Sequence, residues 1–292
     1  MIEEIAPAKI NLYLHVGGVR RDGLHELRSL FVFADAGDVV AVEPARDLSL
    51  EIIGPFAAPL LNEPADRNLV MRAARLLRRE AGVAAGARLV LDKRLPIASG
   101  VGGGSADAAA TLRALMKLWR LDLPAARLAA LAFSLGADVP ACLAGAPALV
   151  GGAGERLRPG PRLPPLAVCL VNPGVAMPTG PVFRAFDSRH PSPQAPRDPD
   201  FSGAAGLDGL ASLIARTRND LEPFAIAREP VIARVIARLS AAPGAIAARM
   251  SGSGATAFAL FHAQSAAARA AAAMRAEGWW ALDARLCGRA GA

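Results

Sequence analysis

The sequence predicts an α+β fold, and three observations predict it. Strand-like and helix-like runs are mixed without the regular alternation of a parallel βαβ protein. A glycine-rich loop at 100–105 enters a helical pattern directly. The last fifty residues read as two strands around a tight SGSG loop, an alanine-rich helix and a final strand.

Taken in order, residues 5–16 (IAPAKINLYLHV) are rich in Ile, Leu and Val and alternate, which predicts a strand pair or a bent strand. Residues 20–25 form a turn around Gly23, and 26–43 carry strand signals with a turn at Gly37-Asp38. A strand follows at 48–53, a helix at 67–82 and a short strand at 87–91. The helix after the glycine loop places Leu112, Leu115, Met116 and Trp119 on one face. A second helix covers 124–135, and Pro140 and Gly145 bound a loop in GADVPACLAG. A strand is expected at 166–171 and an exposed loop at 186–206, where Pro, Ser, Asp and Gly accumulate. Helices at 207–217 and 229–240, strands at 245–250 and 255–261, a helix at 264–277 and a strand at 279–286 complete the chain.

The 292 residues are 53% hydrophobic and 20% charged, enough apolar surface for a full core and too little charge for a wholly disordered chain. The start, MIEEIAPAK, lacks a basic region followed by an apolar stretch, and no run of about 18 apolar residues occurs. Neither a secretory leader nor a membrane span is expected. Three cysteines, Cys142, Cys169 and Cys287, lack C-x-x-C spacing and read as small core residues of a cytoplasmic chain. The net charge of +7 suits an anionic partner. Its basic residues are scattered and aromatics make up 5%, which argues against nucleic acid. Of 33 basic residues only Lys9, Lys93 and Lys117 are lysines, and two of them lie beside the motifs below.

Gly100-Val-Gly102-Gly103-Gly104-Ser105 lets backbone approach a ligand closely and then presents the unpaired N–H groups of a helix start. That combination is an anion site suited to phosphate. Ser105 could cap the helix or face a Mg²⁺ ion. The loop is not a Walker A sequence, which ends in G-K-[ST], nor a dinucleotide fingerprint, which needs Gly where Ser105 stands. Gly252-Ser-Gly254-Ala-Thr-Ala257 matches the dinucleotide pattern formally, but a strand follows it rather than a helix.

Phosphoryl transfer needs aligned oxygens, neutralised charge and a group that takes or orients the hydroxyl proton. Lys9, in an apolar segment, requires an anionic partner if buried. Asp138, among small and apolar neighbours, is a helix cap, a turn former or a carboxylate beside a substrate hydroxyl. The dispersed histidines His15, His25, His190 and His262 form no zinc pattern, and no G-x-S-x-G elbow is present.

Together PAKINLYLHV, LPIASGVGGGSADAA and MSGSGATAFALF resemble the three signature segments of the GHMP small-molecule kinases. RRDGLHEL, LFVFADAGD, RNLVMRAARLL, KRLP, LGADVP, NPG, PTGPVF and NDLE resemble the branch of that family that acts on a cytidyl-diphospho sugar alcohol of the non-mevalonate isoprenoid route. The resemblance implies two domains. One, 1–160, would be ribosomal-S5-like and bind ATP; the other, 161–292, would be ferredoxin-like and face the substrate. It implies Asp138 as general base and Lys9 as the residue that orients the 2-hydroxyl. It implies Gly100, Gly102, Gly103, Gly104, Ser105 and Ala106 around the ATP phosphates, and Asn68, Lys93 and Pro96 near the adenosine. On the substrate side it implies Asn11, Leu24, His25, Thr179, Phe183 and Gly252, with Phe183 stacking on cytosine. Leu24 departs from the family, which commonly has Tyr there, so one aromatic plate of the cytosine site is missing.

The expected cofactors are ATP and Mg²⁺, and the expected partner is a small-molecule substrate, with the chain a monomer or weak homodimer. Mevalonate-type or homoserine-type kinases and a catalytically silent metabolite-binding protein are the alternatives.

Overall fold

The computed structural model describes residues 1–190, 196–201 and 207–287, folded as two compact units. The first unit comprises Met1–Ala8, Ala36–Ile97 and Gly102–Gly145; the second comprises Lys9–Asp35, Ala98–Val101 and Ala146–Ala292. Two long strands, β1 (Ile2–Val19) and β2 (His25–Ala45), pair with each other and contribute residues to both units.

In the first unit β3 (Leu48–Ile53) runs parallel to β4 (Gly86–Asp92), and β4 runs antiparallel to the end of β2, from Val39 opposite Asp92 to Ala45 opposite Gly86. Between β3 and β4 lie α1 (Ala58–Leu61), a short 3₁₀ turn and α2 (Leu69–Glu80). Asn68 caps α2 by accepting from the Val70 N–H at 2.9 Å, an interaction worth about 1 kcal/mol. Helix α2 buries Val70, Met71, Ala73, Ala74 and Leu77 along one face. Then come α3 (Gly103–Leu118), α4 (Ala125–Leu135) and α5 (Val139–Ala144). Arg113 ties α3 to its surroundings by donating to Glu4 at 2.9 Å and to the Cys142 carbonyl at 3.1 Å. Lys117, on the same helix, also donates to Glu4. Burial pushes the Glu4 carboxyl up, but Lys117 and Arg113 outweigh it and hold Glu4 below its ordinary range.

In the second unit the start of β2 pairs with β5 (Ala148–Gly152), and β5 pairs with β6 (Arg156–Pro159). β7 (Ala167–Asn172) leads into α6 (Thr179–Arg189), α7 (Leu207–Arg216), α8 (Glu222–Arg228) and α9 (Val231–Ser240). β8 (Ala245–Met250), β9 (Ala257–Phe261), α10 (Gln264–Ala276) and β10 (Trp280–Arg285) close the unit. The four-stranded sheet has the order β10-β7-β9-β8, with every pairing antiparallel. This is the ferredoxin-like β-α-β-β-α-β arrangement. Small side chains on α10, Ala267 and Ala271 among them, pack with Cys169, Val171, Ala257, Ala259 and Phe261 of the sheet. Cys142, Cys169 and Cys287 form no disulfide; the first two are fully buried core residues, and burial pushes the Cys169 thiol up to about 12.

The mixed α+β expectation is met, with four local differences. Gly37-Asp38 makes no turn, since β2 continues through it. Gly37 is needed because a β-carbon there would collide with the Ala6 carbonyl of β1. GADVPACLAG contains α5 instead of a loop: Pro140 sits in the first turn, where its missing N–H costs nothing, and Gly145 ends the helix at φ 59°. Of the loop expected at 186–206, residues up to Arg189 finish α6, while 191–195 and 202–206 lie outside the described residues. Helices α1, α6 and α8 and strands β5 and β6 were not anticipated, being short or lacking a long periodic pattern. Among the described residues no helix is long and apolar enough to cross a membrane.

Candidate functional site

The glycine loop is built from backbone that only glycine adopts freely. Gly100 and Gly102 have φ of 79° and 65°, and Ala98 also lies in the left-handed region at 49°. Gly102 is the N-cap of α3, with no side-chain cap hydrogen bond. Ser105 therefore does not cap this helix; it stands inside the first turn, half-buried. Only from Ala106, which donates to the Gly102 carbonyl at 2.9 Å, does the helical ladder begin. The N–H groups of Gly103, Gly104 and Ser105 precede that ladder and point out of the helix start, with the positive end of a 16-residue helix behind them.

Beneath that start lies a buried ion cluster. Lys93 donates to Asp38 Oδ2 at 2.5 Å and to Asp107 Oδ2 at 2.7 Å. Asp38 Oδ1 accepts from the backbone N–H groups of Arg94 and Leu95 at 2.6 and 2.7 Å. Burial pulls the Lys93 ammonium down, yet its two carboxylates outweigh that and hold it above the ordinary lysine range. Burial pushes the Asp107 carboxyl up, which Lys93 only partly offsets. Lys93 is 3% exposed, so its ammonium is satisfied by carboxylates within the fold. Asn68, the α2 cap, adjoins this region through Leu69, whose Cδ1 would lie 3.3 Å from a β-carbon on Gly104. Pro96 is buried just after the Lys93 segment.

Asp138 is in the first unit, half-buried at the N-cap of α5 without capping it. Its loop approaches the glycine loop: a β-carbon on Gly136 would be 4.0 Å from Ser105 Oγ. Lys9 belongs to the second unit. There it is 4% exposed, its ammonium donates to Asn11 Oδ1 at 2.9 Å, and it stands 4.3 Å from the centre of the Phe31 ring.

The second unit gathers several other expected residues. Asn11 donates from its side chain to Ser29 Oγ at 2.9 Å and from its backbone N–H to Ser251 Oγ at 3.1 Å. Ser251 Oγ donates in turn to the Gly100 carbonyl at 3.0 Å, and the Thr256 N–H reaches the Ser99 carbonyl at 3.0 Å. The SGSG loop is thus joined to the beginning of the glycine loop, with Gly252 (φ 57°) beside the Gly100 carbonyl and Asn11 Oδ1. Asn219 holds that loop by donating to the carbonyls of Met250 and Gly252 at 3.0 and 2.8 Å. Thr179, at the start of α6, shares a hydrogen bond of 3.0 Å with Ser253. Farther along α6, Phe183 lies 4.7 Å from the His25 ring, and Asp187 is 2.7 Å from His25 Nε2. Leu24 is 48% exposed.

Sequence reasoning missed Asp38, Asp107, Ser251 and Asn219 as structural members of these clusters. Asp38 and Asp107 were legible only as acidic residues in apolar surroundings, the signal that had singled out Lys9. Among the described residues no three His, Cys, Asp or Glu side chains gather to hold a metal.

The chain matches the family described as GHMP kinases N terminal domain over residues 68–146 and that described as GHMP kinases C terminal over residues 204–278. A curated protein of Cereibacter sphaeroides named 4-diphosphocytidyl-2-C-methyl-D-erythritol kinase is 53% identical over 291 residues, covering 99% of this chain and all of that protein. One of the same name from Rhodospirillum rubrum is 47% identical, covering 98% of this chain and 92% of the relative. A crystal structure of 4-(cytidine 5'-diphospho)-2C-methyl-D-erythritol kinase superposes with a TM-score of 0.79 at 37% identity, covering 99% of this chain and all of that one. A homoserine kinase from Cytophaga hutchinsonii, at 21% identity and TM-score 0.69 over 98% of this chain and 94% of its own, shares the fold.

Proposed function

The chain belongs to the GHMP kinase family, and from that premise we propose that it transfers the γ-phosphoryl group of ATP to the 2-hydroxyl of 4-diphosphocytidyl-2-C-methyl-D-erythritol, a step of the non-mevalonate route to isoprenoid precursors. The observation that carries this reading is near-full-length identity of 53% and 47% to relatives bearing that activity in their names. Likeness to homoserine kinase at 21% identity concerns the fold alone and favours no other acceptor.

In this reading the backbone of Gly100, Gly102, Gly103, Gly104, Ser105 and Ala106 cradles the phosphates at the start of α3. Asn68, Lys93 and Pro96 border the adenosine, Lys93 from beneath the loop. Asp138 is the general base. Lys9, held by Asn11, orients the acceptor hydroxyl and offsets the charge that grows on its oxygen. As that oxygen bonds to the γ-phosphorus, the bond from phosphorus to the bridging oxygen of ADP breaks, and the hydroxyl proton passes to Asp138. Mg²⁺ suits this donor set: phosphate oxygens supply most ligands of such ions, and one hydroxyl, Ser105, stands in the first turn of α3. When bound, the ion neutralises phosphate charge. His25 and Phe183 take the cytosine, and Thr179, Asn11 and Gly252 line the path of the sugar alcohol. We assign 1–160 to nucleotide binding and 161–292 to the substrate side, in a chain acting as a monomer or weak homodimer.

An ADP-release assay with purified protein tests the reaction. Turnover is expected with the cytidyl-diphospho sugar alcohol and only background with mevalonate or homoserine. Equal rates with all three would reject the substrate. Leu24→Tyr is expected to tighten binding of CDP by about fivefold or more in calorimetry, since stacking on one base contributes roughly 1–3 kcal/mol. Unchanged affinity would mean that another group covers that face of the base.

A further inference from the structure

Asp38, Lys93 and Asp107 come from three elements of the first unit, namely β2, the segment after β4, and α3. All three are nearly inaccessible, at 0%, 3% and 3% exposure. One ammonium meets two carboxylates there, which leaves an excess negative charge whenever both acids are ionised. Asp107 Oδ1 has no hydrogen-bond partner among the described residues, so Lys93 is the group that holds this side chain. An arrangement that costly to bury is poor at stabilising a fold compared with apolar packing. Its position explains it better. A β-carbon on Gly103 would stand 3.0 Å from Lys93 Nζ and 3.5 Å from Asp38 Oδ2, which puts the cluster directly under the first residue of α3. Asp107 lies one turn further along the same helix.

We propose that Asp38, Lys93 and Asp107 form a positioning triad that fixes the first turn of α3, and so aims its N–H groups at the nucleotide phosphates. Asp38 is anchored by the Arg94 and Leu95 N–H groups and by Lys93; Lys93 carries that anchor to Asp107 and thus to the helix. None of the three touches the ligand in this scheme. The proposal rests on the reading that α3 receives ATP.

The test compares Asp107→Leu, which removes one of the two acceptors of Lys93, with Asp107→Asn, which retains a carbonyl oxygen in the same place. ATP affinity is measured by calorimetry, together with the KM values for ATP and for the acceptor. Asp107→Leu is expected to weaken ATP binding by about tenfold or more, the effect of one lost charge-assisted hydrogen bond, with the acceptor KM within about twofold of wild type. Asp107→Asn is expected to restore most of the ATP affinity. A purely structural role would lower the melting temperature of the leucine variant and leave the affinity of its folded fraction unchanged. A folded Asp107→Leu protein that binds ATP like wild type would overturn the proposal. Should that variant not fold, Lys93→Arg decides the matter. It keeps the charge, but its larger guanidinium cannot fit beneath Gly103 without shifting the helix start, so the same loss of affinity is expected and wild-type affinity is the overturning result. Wild-type protein that fails to bind ATP would instead refute the reading of α3, which keeps the two failures apart.

Discussion

Asp138→Ala is expected to lower kcat by about 10²–10⁴-fold, the usual contribution of a positioned general base, while ATP binds as before. Asp138 opens α5 but does not cap it with its side chain. Its half-buried position also means that no large cavity follows. The loss is expected in turnover. Steady-state ADP release, calorimetry with ATP and a melting curve on the same preparation separate these quantities. A variant that retains near wild-type kcat would remove Asp138 from the proton-accepting role. Asp138→Asn should be almost as slow, because an amide keeps the shape of the carboxylate but takes no proton at neutral pH.

Gly103→Val is expected to raise the KM for ATP by at least about tenfold, as expected when a charge-assisted contact to phosphate is lost. A β-carbon at this position already meets Lys93 Nζ at 3.0 Å and Asp38 Oδ2 at 3.5 Å, and the two γ-carbons of valine need still more room. Lys93 is held by two carboxylates and cannot swing aside without leaving charges buried and unpaired. The easier response is for the first turn of α3 to move, which displaces the N–H groups proposed to face the phosphates. Circular dichroism confirms folding, and nucleotide affinity then reads the effect. Unaltered ATP affinity in a folded Gly103→Val protein would mean that this helix start does not hold the nucleotide.

Much of the fold was legible because it is local. The 48–53 strand coincides with β3, and the alternation of small and aromatic residues in 255–261 marks β9. The glycine loop entering a helix is legible for the same reason: helix starts and left-handed backbone are properties of neighbouring residues. Gly37 shows where such reasoning misleads. A glycine followed by aspartate looks like a turn, yet the same smallness serves a straight strand that passes close to the Ala6 carbonyl. The helix in GADVPACLAG misled for a related reason, because proline both ends helices and begins them.

The sequence by itself determined the alternation of strands, the glycine-built helix start and the signature segments of the family, since each depends on residues within a few positions of one another. Only the tertiary structure decided that Asp38, Lys93 and Asp107 share one buried cluster, 55 and 14 residues apart from the lysine. It also decided that Ser251 donates to Gly100 across 151 positions. Such partners are chosen by strand register and helix packing, and a one-residue slip of β2 against β4 would point Asp38 to the opposite face of its sheet.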